Sequence, residues 1–220
     1  MPTTQNLLII SAGKYGRETL RLAKDAIKAG APWRIKGFLD DRQGVLAPYG
    51  YEEPILGTVE SYQPVPGDVF LCAVGDNDVR RRYVEIVKSK GGKFATLVHP
   101  SAVVAERATI GEGCIIEPFV FVGTDASIGE QNVIGSHTCI SHDVRMGVYN
   151  QVCGHSSFGG NVQIGDHVFF GLGAIVVPAV AIGRYAFVGA GSLVVADVRA
   201  ATKVFGNPAA EYGIVKGQYL

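Results

Sequence analysis

The chain has 220 residues, 47% of them hydrophobic and 18% charged, with 20 basic side chains balancing 20 acidic ones. That content is enough for a packed core, and the charge balance excludes the basic field that draws a protein to nucleic acid or to an anionic membrane surface. The opening MPTTQNLLIISAGKYGRE lacks a charged leader region, no apolar run is long enough to span a bilayer, and Cys72, Cys114, Cys139 and Cys153 form neither a CxxC pair nor a short secreted framework. A soluble, cytoplasmic protein with reduced thiols is expected.

In chain order, NLLIIS reads as a buried strand, residues 15–28 as a helix, RIKGFLDD as a second strand ending in Asp40 and Asp41, DVFLCAVG as a third, residues 78–90 as a second helix and KFATLV as a further strand. This alternation predicts a small α/β, Rossmann-like domain with a parallel sheet over residues 1–98. Ser11, Gly13 and Gly16 take the spacing of a GxGxxG loop, with serine in place of the first glycine. Such a loop at the start of a helix can hold a phosphate, which makes Gly13, Lys14, Tyr15 and Gly16 candidate ligand contacts; tight packing of helix on strand would demand the same glycines. Asp40 and Asp41 fall where a dinucleotide-binding domain presents an acid to a ribose. The domain is too short for a full dinucleotide fold, so a site for one nucleotide is expected.

HPSA at residues 99–102 joins this region to a second one. From Val104 to Val194 every sixth residue is apolar, often followed by glycine as at Gly111, Gly129, Gly147, Gly165 and Gly183, and the fourth residue after each apolar one is small or medium. A fixed six-residue period predicts a parallel β-helix in which three hexads make one triangular coil and residues 18 apart stack. The glycines are expected where a turn needs an unusual backbone angle or room. The repeat occupies residues 99–220 together with a C-terminal tail that starts after Val198.

Three of the five histidines fall between Gly135 and His155. His137 and His155 are 18 apart and should stack on one edge. His142 lies near the next turn with Asp143 beside it and Gly160 one coil on, where the absence of a side chain lets a ligand approach the backbone. His167 aligns with Tyr149 and Tyr185 in a column that reads as structural. An unperturbed imidazole accepts a proton near neutral pH, so His142 is the candidate base.

The hexads, ISHDVRMG, FGGNVQIGDHVFFGLGAIVVP and GNPA resemble the hexapeptide-repeat acyltransferases. With the short domain before HPSA, the chain is similar nearly end to end to the sugar acetyltransferases that include the bacillosamine-pathway N-acetyltransferases and the NeuD-like sialic acid O-acetyltransferases. The resemblance implies a left-handed β-helix, a homotrimer, and acetyl-CoA bound in a groove between neighbouring helices. It implies His142 as general base, oriented by Asp143, and the Gly160 N–H facing the thioester carbonyl. It also implies that His155, Gly160, Gly173, Ala174, Pro178 and Pro208 lie beside the coenzyme, and that Gln151 lies beside the sugar with the N-terminal loop and acids. No metal is required. The chain departs from the family pattern at Lys14 and Tyr15, where glycine and histidine are usual, at Gly135 for an asparagine, at Gln151 for a second histidine and at Ala210 for a lysine. Those positions concern the acceptor, a nucleotide-linked amino sugar by the resemblance. O-acetylation of a sugar is the nearest alternative. A zinc enzyme of the carbonic anhydrase kind, using the His137-x4-His142 spacing, and a non-catalytic trimeric scaffold are the others.

Overall fold

The structure is a computed structural model, and it describes residues 4–215. The chain divides into two compact units, with the division between Pro100 and Ser101, two residues beyond the expected joint. No helix among the described residues is long and apolar enough to cross a membrane.

In the first unit, β1 (Gln5–Ile10), β2 (Trp33–Leu39), β3 (Asp68–Cys72) and β4 (Lys93–Phe94) form a parallel sheet in the order β2-β1-β3-β4. Helices α1 (Lys14–Lys28) and α2 (Asn77–Ser89) provide the connections that parallel strands require. Leu7 to Ile10 and Phe70 to Cys72 are almost fully buried, as continuous apolar runs at the centre of a parallel sheet should be. KFATLV breaks into two short strands, Lys93–Phe94 and Leu97–Val98, instead of one. At the N-terminal ends of the strands the Asp68 carboxylate, fully buried, accepts from Lys36 Nζ at 2.8 and 3.0 Å, Tyr62 Oη at 2.7 Å, Asn6 Nδ2 at 3.0 Å and the Val65 N–H at 3.1 Å. Burial alone would raise its pKa, but these donors outweigh that and hold the carboxyl below the usual range.

The second unit is a parallel β-helix of three sheets whose partners are 18 residues apart. The first face carries Phe121–Val122, Cys139–Ile140, Ser157–Phe158, Ile175–Val176 and Leu193–Val194. The second carries Thr109–Ile110, Ser127–Ile128, Arg145–Met146, Gln163–Ile164 and Ala181–Ile182. The third carries Ile115–Ile116, Val133–Ile134, Gln151–Val152, Phe169–Phe170 and Phe187–Val188. The second residue of each pair from Ile116 to Val194 is buried and fills the prism.

The unusual backbone angle lies elsewhere than the hexad glycines suggested. Eleven corners are turned by a non-glycine residue with φ between 57° and 62°, and these are Asp125, Asp143, Asn161 and Ala179 between the first and second faces, Gln131, Tyr149, His167 and Tyr185 between the second and third, and Phe119, His137 and His155 between the third and first; Gly113, Gly173 and Gly191 turn others at φ +75°, +68° and +65°. Asn, Asp and His tolerate this region better than most residues, although Tyr and Phe do not. The hexad glycines supply room instead. A β-carbon at Gly111 would sit 2.7 Å from the Glu130 N, and one at Gly129 would sit 2.6 Å from the Gly147 O, both backbone atoms of the next coil.

The repeat also continues past Val198 with a shorter stride. Val198 pairs with Ile182, and strand Thr202–Phe205 pairs parallel to Phe187–Val188 with an offset of 16 residues. Gly206 and Ala209 exchange backbone bonds with Leu193 at 3.0 and 2.7 Å, and strand Ala210–Ile214 returns antiparallel along Thr202–Phe205. The last strand of every face is thereby covered.

Candidate active site

His142 stands at the corner between the first and second faces, fixed by backbone bonds on both sides: the Asp143 N–H donates to the Thr124 carbonyl at 3.0 Å, and the His142 carbonyl accepts from Asn161 N–H at 3.1 Å. Its Nδ1 is 2.8 Å from Asp143 Oδ2, so the neighbours on this turn point together. A carboxylate accepting from Nδ1–H fixes the tautomer that leaves the Nε2 lone pair available. Both side chains are more than half exposed, so the pair orients the ring more than it stabilises the fold.

Gly160 is the next residue in this column. A β-carbon there would lie 2.5 Å from both Cε1 and Nε2 of His142, which means that the imidazole lies across the Gly160 α-carbon. The Gly160 carbonyl accepts from Ala179 N–H at 2.9 Å, and its own N–H has no acceptor among the described residues. Exposed Pro178 is one coil further on. Histidine, glycine and proline thus stand in one column at an 18-residue spacing, with an exposed base and, buried beneath it, a spare N–H.

The other histidines do something different. Phe119, His137 and His155 stack in one column, with centroids 4.9 Å apart (24°) and 4.8 Å apart (8°). Parallel rings direct their lone pairs along parallel lines, so His137 and His155 do not converge on one ion. The column ends at Gly173, whose φ is +68° and around which a β-carbon would find open space. His155 and Gly173 therefore share one corner, and exposed Pro208 lies in the turn before the final strand. Ala174 is a correction: it is fully buried with its methyl facing the interior, its N–H donates to Gly171 O and its carbonyl accepts from Ser157 N–H, so it offers a ligand nothing. Gln151 lies on the third face, and a single chain does not bring it to the corner that carries His142. Tyr149, His167 and Tyr185 form the expected structural stack, with centroids 5.1 and 4.7 Å apart. Burial first, and the Glu117 charge second, push the Cys153 thiol up, which suits an unreactive residue.

In the first unit, Ser11 takes over from the missing glycine by adopting φ +78° itself, and its Oγ accepts from Gly13 N–H at 3.2 Å. Gly16 is fixed by contact, because a β-carbon there would overlap the Ser11 carbonyl. Exposed Lys14 starts α1, whose first turn has no acidic residue, while Tyr15 packs against the core cluster of Ile9, Leu20 and Phe38 and is a packing residue. Asp40 also departs from expectation. Its Oδ2 accepts from Ala12 N–H at 2.8 Å and Arg42 Nη2 at 2.9 Å, and its Oδ1 accepts from Arg42 N–H and Nε, each at 2.9 Å. Burial would raise its pKa, but the bonds from Arg42 and Ala12 prevail and keep it ionised below the usual carboxylate range. With both oxygens engaged, Asp40 anchors the loop and has no lone pair left for a ribose. Asp41 stays exposed beside a cavity of about 280 Å³ lined also by Ser11, Val59, Val74, Val79 and Tyr83. Arg42 was not among the residues the sequence singled out; its signal was the third position of the DDR that follows the second strand.

Residues 6–87 match the PglD N-terminal domain family. The chain is 32% identical over 114 residues to the UDP-N-acetylbacillosamine N-acetyltransferase of Bacillus subtilis (strain 168), 51% of each chain. It is 32% identical over 111 residues to the GDP-perosamine N-acetyltransferase of Escherichia coli O157:H7, 49% of each. It thus spans about half the length of the curated relatives it matches. Several solved structures match over nearly the whole chain. The acetyltransferase domain of PglB from Neisseria gonorrhoeae FA1090, in complex with acetyl coenzyme A, is 28% identical with a TM-score of 0.85, covering 95% of this chain and 100% of that one. PerB from Caulobacter crescentus, in complex with CoA and GDP-perosamine, is 28% identical with a TM-score of 0.82, covering 94% and 97%. A Rossmann-like domain followed by a hexapeptide β-helix is the fold that this chain shares with those acetyltransferase structures. Over nearly its whole length the chain is similar to these sugar acetyltransferases.

Proposed function

We propose that the protein is an acetyl-CoA-dependent N-acetyltransferase acting on a nucleotide-linked amino sugar, with His142 as its general base. The observation that carries this reading is the His142 imidazole, held by Asp143 through Nδ1 and lying across Gly160. The neutral amine attacks the thioester carbonyl carbon, forming the C–N bond. Nε2 of His142 takes the proton that the nitrogen sheds, and the Gly160 N–H donates to the oxygen as it gains charge. Collapse breaks the C–S bond, and the proton on His142 passes to the departing thiolate. Atoms and charge balance without a covalent enzyme intermediate. Gly173, Pro178, His155 and Pro208 are proposed to border the coenzyme and Gln151 the sugar, while Gly13, Lys14 and Asp41 receive the nucleotide. The relatives that act on UDP- and GDP-linked amino sugars support this choice of acceptor.

A homotrimer belongs to the same reading. Val103, Phe121 and Ile175 on the first face, with Phe119 and Leu172 beside it, are exposed apolar residues on one side of the helix. Phe169 and Phe187 stack on the third face instead. An apolar side of this kind is covered by a second copy in a closed cyclic assembly. The four cysteines, none of them in a disulfide, suit the cytoplasm, where acetyl-CoA is available.

The test measures coenzyme A release with a nucleotide-linked 4-amino sugar, its 4-hydroxy counterpart and the two free sugars. The reading requires the nucleotide-linked amine to be fastest, with a rate that rises with pH as the amine loses its proton. Preference for the hydroxy compound would make the enzyme an O-acetyltransferase, and equal turnover of free sugars would remove the N-terminal domain from recognition.

A further inference from the structure

Arg42 is gripped along one edge and open along the other. Its N–H, Nε and Nη2 all reach the Asp40 carboxylate at 2.9 Å, yet 62% of its side chain remains exposed. Its Nη2 would lie 3.4 Å from a β-carbon at Gly13, which places the guanidinium over the glycine loop and at the mouth of the cavity lined by Asp41, Val59 and Tyr83. Of the other basic residues close to this loop, Lys14 is exposed but offers a point charge without a fork, and the Arg17 guanidinium lies 3.7 Å over the Tyr49 ring. An exposed arginine ordinarily samples many rotamers, and a planar fork held still by a carboxylate is prepared for bidentate recognition of phosphate oxygens.

We propose that Arg42 is the residue that recognises the diphosphate of the nucleotide-linked acceptor, and that Asp40 is its positioning residue. This rests on the reading of the N-terminal domain as the nucleotide site. It replaces the ribose role that the position of Asp40 suggested with a role exercised through a neighbour. Asp40 also ties the same fork to the Ala12 N–H, so one buried carboxylate sets both the loop and the cation that faces it. The base and ribose are left to Asp41 and the apolar cavity, and discrimination between a nucleoside diphosphate and a monophosphate falls to Arg42.

The experiment titrates UDP, GDP and the corresponding monophosphates into the full chain by calorimetry. The wild type should bind at least one diphosphate more tightly than its monophosphate. Arg42→Ala should weaken the diphosphate about tenfold to a hundredfold, the loss expected for a charge-assisted bidentate contact, and abolish the preference over the monophosphate. Arg42→Lys should fall between, keeping the charge without the fork. For Asp40, the double variant Asp40→Asn/Arg42→Ala should bind the diphosphate no more weakly than Arg42→Ala alone, because a positioning residue has nothing left to position. An undiminished preference in Arg42→Ala, or no preference in the wild type, overturns the role of Arg42. Additive losses in the double variant overturn that of Asp40. Failure of every nucleotide to bind the wild type would overturn the N-terminal nucleotide site as well.

Discussion

In the β-helix a residue's task follows from its place in an 18-residue cycle, whereas in the α/β unit it follows from contacts between residues far apart in the chain. His142, Gly160 and Pro178 are one column, and so are Phe119, His137 and His155. Asp40 works through Ala12, 28 residues earlier, and Asp68 through Asn6, 62 residues earlier. The comparison shows two ways to hold a polar group still. A regular scaffold does it by stacking, so that the next coil only has to leave room, while an irregular one does it by saturating a buried carboxylate with donors from several strands.

The largest expected effect tests the second way. Asp68→Ala removes the charged acceptor shared by Lys36, Tyr62, Asn6 and Val65, and should cost about 3 kcal/mol, because four donors converge on this one buried carboxylate and lose it together. Chemical denaturation monitored by circular dichroism measures this, and a loss under about 1 kcal/mol would show the network to be passive. Asp68 and Asp40 both have depressed folded pKa values, so their stabilisation is complete above the ordinary carboxylate value of 3.8 and is lost as the pH falls through the lower folded values. Acid unfolding of Asp68→Asn should accordingly show less pH dependence in that window.

The next test concerns the column. His142→Ala should lower turnover roughly a hundredfold, equivalent to about 2.7 kcal/mol in the barrier, with an unchanged far-ultraviolet spectrum. Turnover like that of the wild type would take His142 out of the mechanism. Gly160→Ala is gentler. Its methyl would displace the imidazole while the corner keeps its backbone bonds, so turnover should drop about tenfold with little change in melting temperature. A large loss of stability would mean that the glycine serves the coil before the site. The smallest effect is Ser11→Gly: relief of a φ of +78° is worth about 1 kcal/mol and is partly offset by the lost bond to Gly13 N–H, so the net gain should be a few tenths. A clear loss of stability would show that the serine hydroxyl, not the backbone angle, holds the loop.

The contrast also explains what could be read from the sequence. The hexads gave the helix, its 18-residue stacking and the nearness of His142 to Gly160, because periodicity survives in the one-dimensional chain. They did not reveal which residues turn the corners, since glycine serves equally for a strained angle and for close approach; only the coordinates separate the two. They could not show that Asn132 and Asn150, at interior positions, hand backbone bonds from coil to coil, with the Asn132 Oδ1 accepting from Asn150 N–H and the Asn150 Oδ1 accepting from Val168 N–H, both at 2.7 Å. In the first unit the helices and the first two strands are legible to within a residue or two, while the third strand ends three residues early at Cys72 and KFATLV divides; Asp40 and Tyr15 read as ligand contacts because a short motif says nothing about what already occupies a carboxylate or covers a ring. Arg42 stayed hidden for the same reason.

A stack of coils has an intrinsic hazard, since each ladder ends in a row of unpaired backbone groups that any similar chain could extend. Here the shortened stride after Val194 lays Asp197 and Val198 along the end of the second face, Gly206 to Ala209 along the first and Ala210–Ile214 along the third. The growing end is sealed on all sides by segments that cannot themselves carry the hexad register forward. Molecules cut short after Val198 would expose two of those three ladders, and should join end to end into filaments or amorphous aggregate where the intact chain stays discrete.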